Sequence, residues 1–267
     1  MNRPRSSPGR RGLAKVGGRV AIVTGAGTGI GAAAAKLLAA RGLHVVLVGR
    51  RRALLESVAA EIGDGASAVA ADLGEAAAPA RVADAALATF GRVDVIVNNA
   101  AVIRTGPLES VSRAGFDQHY AVNVAGPFFL VSAALAALRE SPDAAIVNVS
   151  SSVGSIVKPG NMLYGSTKAA LEYLTRAWAY ELAGDGIRVN CIAPGPVDTP
   201  IHATYSDDLE TTYADLARRI PLRRMGGVED IAEWVWLLVA PETSWTTGNV
   251  IHVDGGQVLG LPESAGG

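Results

Sequence analysis

Short apolar runs rich in Val, Ile and Leu alternate along the chain with longer stretches in which Ala and Leu recur at helical spacing. The short runs predict strands over residues 20–24, 45–48, 66–71, 93–97, 146–149, 188–192 and 250–253. The longer stretches predict helices over about 30–40, 54–62, 80–90, 121–138, 164–182 and 231–239. Strands that read as continuous apolar runs, separated by helices, belong to a parallel sheet covered on both faces. Right-handed crossovers then give an α/β fold: one doubly wound parallel sheet of about seven strands with helices on both faces. No linker divides residues 17–267, so they read as a single domain. Residues 199–224 stand apart. They are polar, irregular and rich in Asp, Thr and Tyr, and are expected to form a lid between a helix and a strand.

Composition narrows the classes. Hydrophobic residues make up 49% of the 267 and charged residues 18%, ample for a core and the reverse of a disordered chain. A net charge of −1 lacks the basic excess of a nucleic-acid binder. Residues 1–16 carry Arg3, Arg5, Arg10, Arg11 and Lys15 without an apolar run, and read as a flexible basic tail. Cys191 is the single cysteine, and His44, His119, His202 and His252 lack metal-ligand spacing. A cytoplasmic, metal-free protein is expected. The uncharged stretch 121–138 approaches the length of a membrane span. Asn123, Pro127 and Ser132 interrupt it, so a helix buried on two sides is expected and no membrane contact.

Chemistry concentrates at the ends of the predicted strands. Thr24-Gly25-Ala26-Gly27-Thr28-Gly29-Ile30-Gly31 follows the first strand and opens the first helix. Glycines let backbone N–H groups approach a pyrophosphate, and the helix N-terminus adds partial positive charge. The spacing departs from G-x-G-x-x-G, since Ile30 stands at its last position, but the strand-to-helix context is that of a dinucleotide site. The second strand ends in Val48-Gly49-Arg50-Arg51-Arg52, with no acid to bind a ribose 2′-hydroxyl. Arginines at a helix N-terminus oppose the helix dipole, and a phosphate ligand would remove that conflict. Arg50 and Arg51 therefore favour NADP(H) over NAD(H).

Tyr164 and Lys168 are spaced i, i+4 at the start of a predicted helix and share a face. A free phenol titrates near about 10, and a nearby cation favours the phenolate, which suits acid/base work closer to neutral pH. Ser150-Ser151-Ser152 closes the fifth strand, where ligands of an open parallel sheet bind. Turn chemistry is the expectation for Ser150 and Ser152, and a substrate contact for Ser151.

These segments together resemble the short-chain dehydrogenase/reductase family. Thr24–Gly31 matches its T-G-x-x-x-G-x-G, Asn98-Asn99-Ala100-Ala101 its N-N-A-G, Tyr164 and Lys168 its Y-x-x-x-K, Pro194–Thr199 its P-G-x-V-x-T and Asp254-Gly255-Gly256 its D-G-G. Ser151 and Asn123 fall at the family's serine and helix-asparagine positions. Ala101 departs from the family's glycine. The resemblance, over about residues 17–256, implies a Rossmann-like fold and an oxidoreductase acting on a carbonyl or secondary alcohol. In it Tyr164 is the acid/base, Lys168 lowers its pKa and holds the nicotinamide ribose, Ser151 holds the carbonyl, and Asn123 holds a relay water. Asp72 and Leu73 would meet the adenine. Asn99, Ala100, Pro194, Gly195, Val197 and Thr199 would complete the cofactor site begun by Gly25, Gly27, Thr28, Gly29 and Ile30.

An NAD-dependent alcohol dehydrogenase and a non-catalytic nucleotide-binding regulatory protein are the alternatives; the presence of all four catalytic positions favours the enzyme. The substrate is expected between residues 152–163 and 199–224, near Ile156, Val157, Met162, Ile201, His202 and Tyr205. A 3-oxoacyl thioester, a polyketide-like ketone, a sugar or a steroid all suit this reading. The apolar helices 121–138 and 164–182, the latter with Leu171, Tyr173, Leu174, Trp178 and Tyr180, are expected to pair with their copies in a homodimer or homotetramer.

Overall fold

The computed structural model describes residues 18–200 and 208–260. The tail over 1–16, and Ile201, His202 and Tyr205, lie outside the described residues. Strand β1 (Val20–Thr24) is buried at every position. Its side chains alternate between two cores, Ala21 and Val23 facing one and Val20 and Ile22 the other. Strands β2 (His44–Gly49) and β3 (Ala66–Ala70) extend the sheet on one side. On the other side lie β4 (Val95–Asn98), β5 (Ala145–Val149), β6 (Arg188–Pro194) and β7 (Val250–Val253). The order is β3-β2-β1-β4-β5-β6-β7 with every pair parallel. The chain reverses its winding between β1 and β4, which opens a crevice at the carboxyl ends of these strands.

Helices α1 (Gly29–Ala40), α2 (Arg52–Ile62) and α8 (Val228–Val239) cover one face, packing Leu38, Leu55 and Trp236 against Val23, Val45 and Leu47. Helices α3 (Ala78–Phe90), α5 (Gly126–Arg139) and α6 (Met162–Leu182) cover the other with Val82, Leu130, Leu138 and Trp178. Each such fully buried side chain contributes about 1.5–3 kcal/mol of transfer free energy.

Three features differ from the sequence expectation. Helix α4 (Arg113–Tyr120) precedes α5 and runs into it through a π-helical turn, Ala121–Ala125. Its residues are polar, so hydrophobic periodicity misses it; Ser112 caps it by accepting from the Gly115 N–H at 3.1 Å. The whole span Arg113–Arg139 is long and apolar enough to cross a membrane, yet α5 lays Leu130, Val131, Ala134 and Leu138 into the core. Within the expected irregular lid, residues Leu209–Arg218 form helix α7, with the Asp208 side chain accepting from the Thr211 N–H at 3.0 Å. Finally, Leu171 and Trp178 are buried within their own chain, at 1% and 7% exposure, and Leu174 packs beside them. Trp178 packs into the core on that face of the sheet, and Tyr173 and Tyr180 are the exposed aromatics of α6.

Candidate active site

The carboxyl ends of the strands border one cleft of about 1260 Å³. Gly25, Gly27, Thr28, Gly29 and Ile30 line it, as do Arg50, Arg51, Asp72, Leu73, Asn99, Ala100, Ser151, Tyr164, Lys168, Pro194, Gly195, Val197 and Thr199. These residues come from the carboxyl ends of β1 to β6 and from the first turns of α6, and of the expected catalytic and cofactor residues Asn123 alone does not line the cleft.

The glycine-rich turn is built around Asn99. Its side-chain N–H donates to the Thr24 carbonyl at 2.9 Å. The Thr24 hydroxyl in turn accepts from the N–H groups of Asn99 and Ala100 at 2.9 and 3.0 Å. A Cβ on Gly31 would stand 2.4 Å from the Gly25 carbonyl oxygen and 2.5 Å from Asn99 Nδ2. Gly25 has φ +67, the left-handed region that favours glycine. Asn99, which itself lines the cleft, therefore holds the turn in shape. The Thr28 side chain does not cap α1, and among the described residues its first N–H groups remain open to an anion. Arg51 donates to the Thr28 hydroxyl at 3.3 Å and joins the end of β2 to this turn. Arg52 instead pairs with Glu56 at 3.5 Å on the surface. A glycine cradle, an uncapped helix start and two cleft-lining arginines fit a dinucleotide with its phosphates on α1.

Tyr164 and Lys168 lie on the first turns of α6, and the Lys168 ammonium sits 5.5 Å from the centroid of the Tyr164 ring. Lys168 is buried and donates to the Val149 carbonyl at 2.7 Å. Burial pushes its pKa down to about 8, with Cys191 and Glu172 pulling the other way. Ser151 begins the turn after β5, and among the described residues its hydroxyl accepts only a long contact, 3.4 Å, from the Val153 N–H. Its neighbours are more firmly engaged than turn chemistry suggests. Ser150 donates to Glu172 at 2.8 Å and Ser152 to Gln257 at 2.7 Å. Ser151 is thus the serine whose hydroxyl can serve a ligand.

Asn123 sits in the π-helical turn behind this site. Its Oδ1 accepts from the Val102 N–H at 2.8 Å, and its Nδ2 donates to the Val102 carbonyl and to Thr167 at 2.9 and 3.0 Å. The side chain clamps the segment after β4 to α6.

Ile156, Val157 and Met162 do not line the cleft, and Val157 is fully exposed. Lys158, Pro159, Gly160 and Asn161 take their place, with Arg104 on the adjoining segment and Thr212, Leu216 and Arg219 from α7 and its end. Glu172 and these cations escaped the sequence reading. The signal for Glu172 was its spacing, four residues after Lys168 and eight after Tyr164 on one helix face.

The arrangement offers an acid/base hydroxyl beside a buried cation, a second hydroxyl at a strand end and an anion cradle across the crevice. The chain is similar to known proteins. A family model described as Enoyl-(Acyl carrier protein) reductase matches residues 25–257. A short-chain dehydrogenase/reductase, FrzI, from a Cladobotryum species is 37% identical over 249 residues, covering 90% of this chain and 96% of that protein. The crystal structure of a 3-ketoacyl-(acyl-carrier-protein) reductase from Brucella melitensis, complexed with NADH, superposes with a TM-score of 0.85 at 36% identity, covering 91% of this chain and 99% of that one. A blue fluorescent protein from a metagenomic library, in complex with NADPH, superposes with a TM-score of 0.84 at 32% identity over 91% and 99% of the two chains. The chain belongs to the short-chain dehydrogenase/reductase family and is an oxidoreductase.

Proposed function

We propose that this enzyme interconverts a ketone and a secondary alcohol with NADP(H). The observation that carries the reading is the convergence of Tyr164, Lys168 and Ser151 on the cleft that the glycine-rich turn also lines. When bound, the nicotinamide supplies or takes up the hydride. In reduction the Tyr164 hydroxyl gives its proton to the carbonyl oxygen, and the Ser151 hydroxyl donates a hydrogen bond to that oxygen as charge develops on it. The Lys168 ammonium, fixed by Val149, stabilises the phenolate that Tyr164 leaves. In oxidation the same phenolate takes the alcohol proton.

The end of β2 supports NADP(H). Gly49 offers no carboxylate there, while Arg50 and Arg51 line the cleft and suit the 2′-phosphate. The solved relatives hold either nicotinamide, so the choice rests on these arginines. The segment 199–224 borders the same cleft through Thr212, Leu216 and Arg219 and serves in this reading as its cover.

The test is a ketone screen followed by absorbance of the reduced nicotinamide. Tyr164→Phe should lose about 10²–10⁴-fold in turnover while still binding nucleotide. Near-normal turnover in that variant would overturn the mechanism. A higher kcat/KM with NADH than with NADPH would overturn the cofactor assignment.

A further inference from the structure

The charged groups lining the cleft are unbalanced. Arg50, Arg51, Arg104, Lys158, Lys168 and Arg219 face it, against Asp72 and Asp215. Arg50 and Arg51 lie at the nucleotide end, and Lys168 belongs to the acid/base. Arg104, Lys158 and Arg219 remain, on three segments that border the reacting end. Asp215 does not balance them, because it pairs with Arg218. Among the described residues, no carboxylate pairs with the side chains of these three cations.

The three cations also stand on fixed mounts. The Gly106 N–H donates to the Gly160 carbonyl at 2.9 Å, tying the Arg104 segment to the Lys158 turn. The Arg104 N–H donates to His119 Nε2 at 3.1 Å. The Asn161 N–H donates to the Lys158 carbonyl at 3.1 Å, and Arg219 ends α7. Burial and the like charge of Arg219 hold the Lys158 ammonium below its ordinary value. Lys158 and Arg219 both line the cleft with exposed side chains, so an anion docked between them would meet two positive charges at once.

We propose that the substrate carries a carboxylate or phosphate group, remote from its reacting carbon, that docks between Lys158 and Arg219, with Arg104 on the same rim. The proposal rests on the ketone/alcohol reading above. It narrows the substrate class to anionic ketones and alcohols, and it makes Lys158 and Arg219 determinants of specificity.

Two measurements test it on the full chain with NADP(H). The first compares a series of keto carboxylic acids with their methyl esters and with keto alkyl phosphates. The preferred anion should exceed the ester in kcat/KM by about ten-fold or more, chiefly through KM, and salt should shrink the preference. Lys158→Ala and Arg219→Ala should each bring the anion-to-ester ratio toward one. An ester turned over as well as its acid and its phosphate, or a preference that survives both substitutions, would overturn the proposal. The second is calorimetry with unreactive alkyl carboxylates and alkyl phosphates, which reads docking without turnover. Binding that the double variant loses supports the proposal; no binding of either anion to the wild type overturns it. If no ketone turns over but these anions bind through Lys158 and Arg219, the ketone reading fails and the anion site stands.

Discussion

The Glu172 carboxylate accepts the hydroxyl of Ser150 at 2.8 Å, directly beneath the turn that carries Ser151. The same carboxylate accepts from Ser155 at 3.2 Å. It sits one helical turn beyond Lys168 and raises the pKa of that buried ammonium against the effect of burial. Gly154 belongs to the arrangement, since a Cβ there would stand 2.5 Å from Glu172 Oε1.

Charge and shape at position 172 can be separated. Glu172→Gln keeps an acceptor for Ser150 but removes the negative charge, so Lys168 should lose its proton below about 8. The alkaline limb of the kcat/KM profile should then move down by roughly half to one pH unit, with little change in thermal stability. Glu172→Ala should also lower the melting temperature, because two serine hydroxyls lose their acceptor. An alkaline limb that does not move in the Gln variant would reduce Glu172 to a purely structural group.

The glycine-rich turn yields a second test. Gly31 has no room for a methyl group between the Gly25 carbonyl and Asn99 Nδ2. Gly31→Ala must push that turn out of place, at a cost of about 1–3 kcal/mol. The nucleotide dissociation constant should rise by about ten-fold or more, read by nucleotide fluorescence. Gly63→Ala is the control for strain alone, since its φ is +89 but nothing lies within 4 Å of its Cβ position. Equal nucleotide affinity in the two variants would show that the turn does not bear on the cofactor.

At the amino end of the sheet, Asp94 accepts from Arg92, from Ser141 and from the Val20 N–H, with its own side chain wholly buried. Burial alone would raise the carboxyl, but Arg92, Ser141 and the Val20 N–H outweigh it and hold its pKa below the ordinary value. The sign follows from linkage. The stabilisation is present above the unfolded carboxyl's pKa, near about 4, and is lost as pH falls through the lower folded value. Asp94→Asn should cost about 2–4 kcal/mol at pH 7 in denaturant titrations. The variant's stability should fall less than the wild type's below about pH 4. Equal acid sensitivity in the two proteins would remove Asp94 from this account.

What could be read from the chain alone follows from these same forces. The strands were legible because burial on both faces leaves them apolar throughout, as in β1. Tyr164 and Lys168 were legible because helical spacing fixes their shared face before any packing is known. Helix α4 was hidden by its polar face, and α7 by the Asp and Thr residues of its first turn, where Asp208 proves to be a cap. Tyr213, Leu216 and Ile220 were a usable helical signal in that segment. Glu172 and Lys158 were not singled out, because their places depend on packing: Glu172 meets the turn after β5 only through Ser150 and Ser155, and Lys158 joins the cleft that α7 also borders. Asn99 was placed in the right cleft, but its hydrogen bond to Thr24 was not legible, because it exists only once β1 and β4 are paired.

Assembly provides the last test. Helices α5 and α6 are neighbours, with the Phe128 ring 5.4 Å from Phe129 and 5.9 Å from the buried Trp178 of α6. Phe129, Tyr173 and Tyr180 stay 55%, 67% and 88% exposed on these helices. Aromatic side chains grouped on two long neighbouring helices are the composition of an interface core, and they hide little apolar area in one chain. A two-fold axis through this face would set each helix against its copy, an isologous contact that closes on itself. The enzyme should therefore run at two or four subunit masses in light scattering at micromolar concentration. Phe129→Glu with Tyr180→Glu should release monomers, because each carboxylate would be buried unpaired in the contact. Circular dichroism should be retained, since both positions are open to solvent within one chain. Leu171→Glu is the contrasting variant. Leu171 lies in the chain's own core, so its replacement should unfold the protein and not merely divide it. A wild-type monomer at micromolar concentration, or an unchanged mass in the double variant, would assign these aromatics another role.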